Sequence, residues 1–129
     1  MHKALATARA LGAEIAAAAD EVERTRRIPS GLMQRIHGGR LARMLLPAEY
    51  GGDEVHPCVY LHALEEIARH DGSVAWNLFV ANSSCVLTPS LEPDTARTIY
   101  AQPHAWMSWG PPDTQRARAV DGGYIVDGT

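Results

Sequence analysis

Cysteine is scarce: Cys58 and Cys85 are the only two in 129 residues, and they form neither a CxxC pair nor a metal-type spacing. That argues against a disulfide scaffold or a zinc module and for a reduced, cytoplasmic protein in which both thiols are small buried or partly buried residues. An excess of positive charge is also missing. Twelve Lys and Arg stand against fifteen Asp and Glu, for a net charge of −3, and the arginines are scattered among acids, so no nucleic-acid stripe is expected. No run reaches membrane-spanning length. The N-terminal "MHKALATARALGAEIAAAAD" has the look of a leader, but Arg9 and Glu14 interrupt it and an amphipathic helix explains it better. No glycine-rich loop follows a strand to open a helix, and no Ser-His-Asp or Cys-His arrangement has local support.

What is present is a chain with 46% hydrophobic and 21% charged residues, enough for one globular domain with a modest core. Ala8, Leu11, Ile15, Ala18, Ala19 and Val22 fall on one stripe of a helix predicted from Lys3 to Arg24. Arg24, Arg26 and Arg27 then suit the negative end of its dipole. A short helix from Gly31 to His37 should stop at Gly38-Gly39, with glycine in a left-handed cap. Leu41 to Leu46 reads as an extended buried segment, and Pro47 with Gly51-Gly52 makes the next stretch a loop.

A third helix, Pro57 to His70, would turn Tyr60, Leu61, Leu64, Ile67 and Ala68 inward. Asp71-Gly72 should end it, with Gly72 left-handed and Ser73 capping a fourth long helix, Val74 to Leu87. That helix is apolar around nearly its whole circumference, which predicts burial on all sides. Its thin polar stripe, Asn77, Ser84 and Thr88 beside Ala81, has two readings: interhelical hydrogen bonds, or the lining of a ligand cavity. A helix from Pro93 to Ala101 follows. After Pro103 the pattern changes to "HAWMSWG", a Pro111-Pro112-Asp113-Thr114 turn and an alternating hairpin around Asp121-Gly122-Gly123. His62, Glu66 and His70 lie at i, i+4 and i+8; solvated charge pairing with Arg69 explains them better than a metal does, and no metal is expected.

The ordered segments "IPSGLMQRIHGGRLARMLLPAEYGGDEV", "ALEEIARHDGSVAW" and "PPDTQRARAVDGGYIVDGT" resemble the N-terminal part of the acyl-CoA dehydrogenase-like flavoproteins. Trp76 after "DGSVA", and Ser108-Trp109-Gly110-Pro111-Pro112 in place of the dehydrogenases' Thr-Glu-Pro, resemble most the two-component flavin-dependent aromatic monooxygenases. The resemblance implies a mainly α fold: a helical domain over residues 1–103, then the first strands of an incomplete β-barrel over 104–129. It implies flavin, FAD or FMN, bordered by Met107, Ser108, Trp109 and Thr114, and a substrate cavity bordered by Trp76, Asn77, Ala81 and Ser84. It further implies reduced flavin from a separate reductase, hydroxylation of a small aromatic substrate with O2, and a homo-oligomer at full length. The family's catalytic groups would lie beyond Thr129, so none is named here. An acyl-CoA dehydrogenase fragment and a non-enzymatic helical binding module are the alternative readings.

Overall fold

The computed structural model describes residues 2–110 and 114–128. The described residues fold into five helices, α1 (Lys3–Thr25), α2 (Ser30–Gly38), α3 (Pro57–Ala68), α4 (Gly72–Cys85) and α5 (Pro93–Tyr100), followed by strands β1 (Arg116–Val120) and β2 (Gly123–Asp127). This is the mainly helical fold expected. The expected Pro111-Pro112-Asp113-Thr114 turn lies outside the described residues except for Thr114.

The α1 stripe packs as its periodicity requires: Ala4, Ala8, Leu11, Ile15 and Val22 are buried, and the helix lies along α3. Gly12 permits the close approach, since a Cβ there would overlap the His70 ring. One core cluster joins this face to Leu32 and Ile36 of α2, Ile67 of α3 and Val74, Leu78 and Ala81 of α4. A smaller cluster joins Leu46, Cys85 and Tyr100.

Several local expectations need correction. Arg40, not a glycine, takes the left-handed conformation after α2 (φ 60°), while Gly39 stays right-handed; the Arg40 side chain instead reaches Asp53 (2.6 Å) and the Gly51 carbonyl (2.7 Å), which holds it there. The segment Leu41 to Leu46 is largely buried but not extended, because Leu41–Arg43 forms a 3₁₀ turn. Its later carbonyls are satisfied from across the loop: Arg43, Met44 and Leu46 accept from the backbone N–H groups of Asp53, Val55 and Glu54.

At the α3–α4 corner Gly72 is the first residue of α4 rather than a left-handed stop. Asp71, not Ser73, is the cap. Its carboxylate accepts from the Val74 N–H (2.7 Å) and from the Ser73 hydroxyl (2.6 Å), which suits a negative group at the positive end of the helix dipole.

Nor is α4 buried on all sides. Val74, Leu78, Ala81, Asn82 and Cys85 face the core, but Trp76 is 63% exposed, and Val86 and Leu87 beyond the helix end are equally open. On α3 the inward set is Tyr60, Ala63 and Ile67, whereas Leu61 and Ala68 are exposed. Cys58 is exposed rather than buried.

The hairpin forms in the register Ala117↔Val126, Arg118↔Ile125 and Ala119↔Tyr124, turning at Asp121-Gly122, where Gly122 has φ 78°. Every residue of both strands is exposed. Tyr124, Ile125 and Val126 therefore present apolar surface without a covering layer among the described residues.

Candidate functional site

The exposed apolar residues of α3 and α4 are contiguous. Leu61, Leu64 and Ala68 of α3 and Ala75, Trp76 and Phe79 of α4 line an open groove of about 410 Å³. Its side chains are almost wholly apolar, with Glu65 at the margin. The Trp76 and Phe79 rings lie 5.2 Å apart, tilted by 40°, and the Trp109 ring meets Phe79 edge-on at 6.3 Å. Aromatic pairs at these separations are mutually attractive. The three rings thus form a continuous wall that runs from α4 onto the segment before the hairpin.

That segment is tethered to α4. The Trp109 indole Nε1–H donates to the Ser83 hydroxyl at 2.9 Å. The Ser84 hydroxyl is closest to its own helix, donating to the Val80 carbonyl at 2.9 Å, with the Met107 carbonyl at 3.4 Å. Beneath the wall, the Tyr60 hydroxyl lies 3.5 Å from the Phe79 carbonyl, and burial pushes its pKa up to about 12, so it remains a neutral donor.

Of the residues expected at a flavin, Trp109 and Ser108 are exposed, Met107 is half-buried against Leu46, Cys85 and Tyr100, and Thr114 is exposed. The four expected around a substrate are not brought together. Trp76 borders the apolar groove. Asn77 lines a separate cavity of about 470 Å³ with Arg26, Arg27 and Met33, and its amide donates only back to the Ser73 carbonyl of its own helix. Ala81 and Ser84 are inside the protein.

Two polar side chains outside the expected stripe organise the helices instead. Asn82 is fully buried; its Nδ2 donates to the carbonyls of Leu41 (2.8 Å) and Leu78 (2.9 Å), and its Oδ1 accepts from the Leu45 N–H (3.1 Å). The signal was legible: Asn82 continues the i, i+4 series Val74, Leu78 and so falls on the buried face. Arg43, 6% exposed, donates to the carbonyls of Tyr100 (3.0 Å) and Gln102 at the end of α5, and its guanidinium lies 5.9 Å from the Tyr100 ring. A charged residue inside the apolar run "LARMLL" was the available sign.

The comparisons with known proteins bear on this arrangement. Residues 3–92 match the model described as "Acyl-CoA dehydrogenase, N-terminal domain". The chain belongs to the acyl-CoA dehydrogenase N-terminal domain family. An indole-3-acetate monooxygenase from Pseudomonas putida is 28% identical over 109 residues, 84% of this chain and 28% of that protein. One from Acinetobacter baumannii is 26% identical over 113 residues, 87% of this chain and 29% of that protein. Among solved structures, the 3-HSA hydroxylase from Rhodococcus sp. RHA1 superposes with a TM-score of 0.91 at 24% identity, covering 98% of this chain and 33% of that one. The HsaA monooxygenase from M. tuberculosis superposes at 0.88 and 23%, covering 98% and 35%. The chain therefore spans about a third or less of the length of these relatives.

Within this family fold, the His62, Glu66 and His70 series is drawn into charge pairing at Glu66. Glu66 is engaged by Arg9 (3.4 Å) and Arg69 (3.9 Å), with His70 at 3.9 Å. Among the described residues, no group of three or more His, Cys, Asp or Glu could hold a metal ion, and no helix is long and apolar enough to cross a membrane.

At the other end of the domain, His37 of α2 stacks on His104 with ring centroids 4.6 Å apart and planes 8° from parallel, and Trp106 lies against it at 5.6 Å. Burial, then the like charges of His104 and Arg43, lower the His37 pKa from 6.5. A lowered folded-state value means that the unfolded chain binds the proton more tightly, so this contribution to stability is complete above about pH 6.5 and is lost as the pH falls towards the lowered value. Thermal midpoints should therefore fall below about pH 6.5, and His37→Asn should flatten that part of the profile. A profile unchanged by the substitution would remove His37 as its source.

Proposed function

We propose that this chain supplies the N-terminal helical part, residues 1–103, and the start of the β part, 104–129, of a flavin-dependent monooxygenase that hydroxylates an aromatic substrate. The observation that carries this reading is the aromatic wall Trp76–Phe79–Trp109 beside an apolar groove, with the Met107–Trp109 segment hydrogen-bonded onto α4. The two relatives named as indole-3-acetate monooxygenases support it.

The residues present fit one side of a flavin site. A planar ring system needs an apolar wall against one face, and the exposed Trp109 beside Ser108 and Met107 offers one. Met107, Ser108, Trp109 and Thr114 would border the flavin, FMN or FAD. Trp76 would border the substrate directly. Ala81 and Ser84 would act from inside α4, and Asn77, adjacent to Trp76 in the chain, would act from the neighbouring cavity that it lines with Arg26, Arg27 and Met33.

A bound flavin would supply the oxygen chemistry. The chain's own contribution is to orient an aromatic ring and to exclude water from one side of it, which favours hydroxylated product over peroxide release. A separate flavin reductase, a homo-oligomeric assembly at full length and a cytoplasmic location complete the proposal.

Trp109→Ala, made in the full-length protein, tests this reading. The fraction of consumed oxygen recovered as hydroxylated product should fall several-fold while hydrogen peroxide rises, and Ser83→Ala should act in the same direction more weakly. Unchanged coupling in Trp109→Ala would count against the wall being part of the site.

A further inference from the structure

A second cavity, of about 300 Å³, opens between the end of α2, the Leu41–Arg43 turn and the Pro103-His104 segment. Its polar lining side chains are His37, Arg40, Arg43 and His104, and no carboxylate is among them. Arg40 has a counter-ion, Asp53 at 2.6 Å. Arg43 has none among the described residues: its partners are the carbonyls of Gly51, Tyr100 and Gln102 and the face of the Tyr100 ring. Its Nε–H is buried with no hydrogen-bond partner there.

A guanidinium does not lose its proton in a protein. Burying one without an opposite charge, and with a donor unmade, costs free energy that neutral carbonyls offset only in part. We propose that this cavity is an oxyanion site, taking a phosphate or carboxylate group against Arg43, with Arg40 and the stacked His37–His104 pair as further donors. Arginine forks and protonated imidazoles suit the oxygens of such a group.

The direction of two titrations agrees. His37 is lowered first by burial and then by His104 and Arg43, and Arg43 first by burial and then by Arg40; the charge contributions are those expected where positive groups converge. A bound anion would oppose the like-charge part of both shifts. The site lies among residues that the hydroxylase reading does not use, so it stands or falls separately.

The test follows the His37 imidazole resonances by NMR while phosphate, or acetate, is added to the 129-residue chain at constant ionic strength against a chloride control. Phosphate should move them saturably and raise the His37 pKa. Arg40→Gln, which leaves the Arg43 tethers to Tyr100 and Gln102 in place, should weaken binding about tenfold, the equivalent of about 1.4 kcal/mol. His104→Ala, made as a second variant, should weaken it independently of the Arg40–Asp53 pair. Tighter binding of phosphate than acetate would identify a phosphorylated ligand; equal or tighter acetate binding would identify a carboxylate. A His37 titration identical in phosphate and chloride, or a phosphate effect undiminished in both variants, overturns the site.

Discussion

Replacing Asn82 with leucine should destabilise the chain by about 2–4 kcal/mol, the range expected when buried backbone groups lose their partners. The residue has no exposure and bridges α4 to the segment after α2 through the Leu41 carbonyl and the Leu45 N–H. Leucine is close in size but can satisfy neither group. The comparison is Asn77→Leu on the same helix. Asn77 is exposed and its one hydrogen bond stays within α4, so its loss should stay within about 0.5 kcal/mol. Urea denaturation of both variants reads the difference. Equal losses would mean that the Asn82 bridge does not organise the packing of α4.

Gly52→Ala should be comparably damaging for a steric reason. A Cβ at Gly52 would overlap the carbonyl carbon and oxygen of Leu46, which is backbone and fully buried. The 46–54 loop would have to open, breaking the bonds from Glu54 N–H to the Leu46 carbonyl and from Gly52 N–H to the Pro47 carbonyl. A loss of about 3 kcal/mol or more is expected, at the upper end for forced overpacking. Gly51 differs. It has φ 79° and only the Arg43 guanidinium near a built Cβ, at 3.4 Å, so Gly51→Ala should incur mainly the left-handed backbone penalty of about 1 kcal/mol. Thermal melts of the two alanine variants separate clash from strain. A Gly52→Ala protein as stable as Gly51→Ala would contradict the close approach.

These two sites show where the sequence was legible and where it was not. The amphipathic stripe of α1, the helix at Pro57, the Pro93 start of α5 and the Asp121-Gly122 turn were readable because each rests on local chemistry: periodicity, a first-turn proline, a hairpin dipeptide. Gly51-Gly52 read as turn glycines, but the closeness of Gly52 to Leu46 depends on how the loop folds back.

Apolarity around the whole circumference of α4 does not translate into burial around it, because one face is left uncovered by the rest of the described residues. Trp76 and Leu61 instead border an open groove. Asn77 and Ser84 form the visible polar stripe of the sequence, while Asn82, five residues beyond Asn77, carries the tertiary bonds. The charge of Arg43 likewise acquires meaning only through Tyr100 and Gln102, 57 and 59 residues away in sequence. The Ser83–Trp109 bond is of the same kind: nothing local pairs a mid-helix serine with a tryptophan 26 residues later.

The proposal that this domain serves an aromatic hydroxylase rather than an acyl-CoA dehydrogenase is tested most directly in the full-length protein that carries it, by comparing two reactions of one flavin-loaded preparation. Supplied with reduced flavin, oxygen and a phenol- or indole-type substrate, it should consume oxygen and release hydroxylated product. Held without oxygen and given acyl-CoA, its oxidised flavin should keep its absorbance. Bleaching of the flavin by acyl-CoA alone, with no hydroxylated product in the aerobic reaction, would contradict the account.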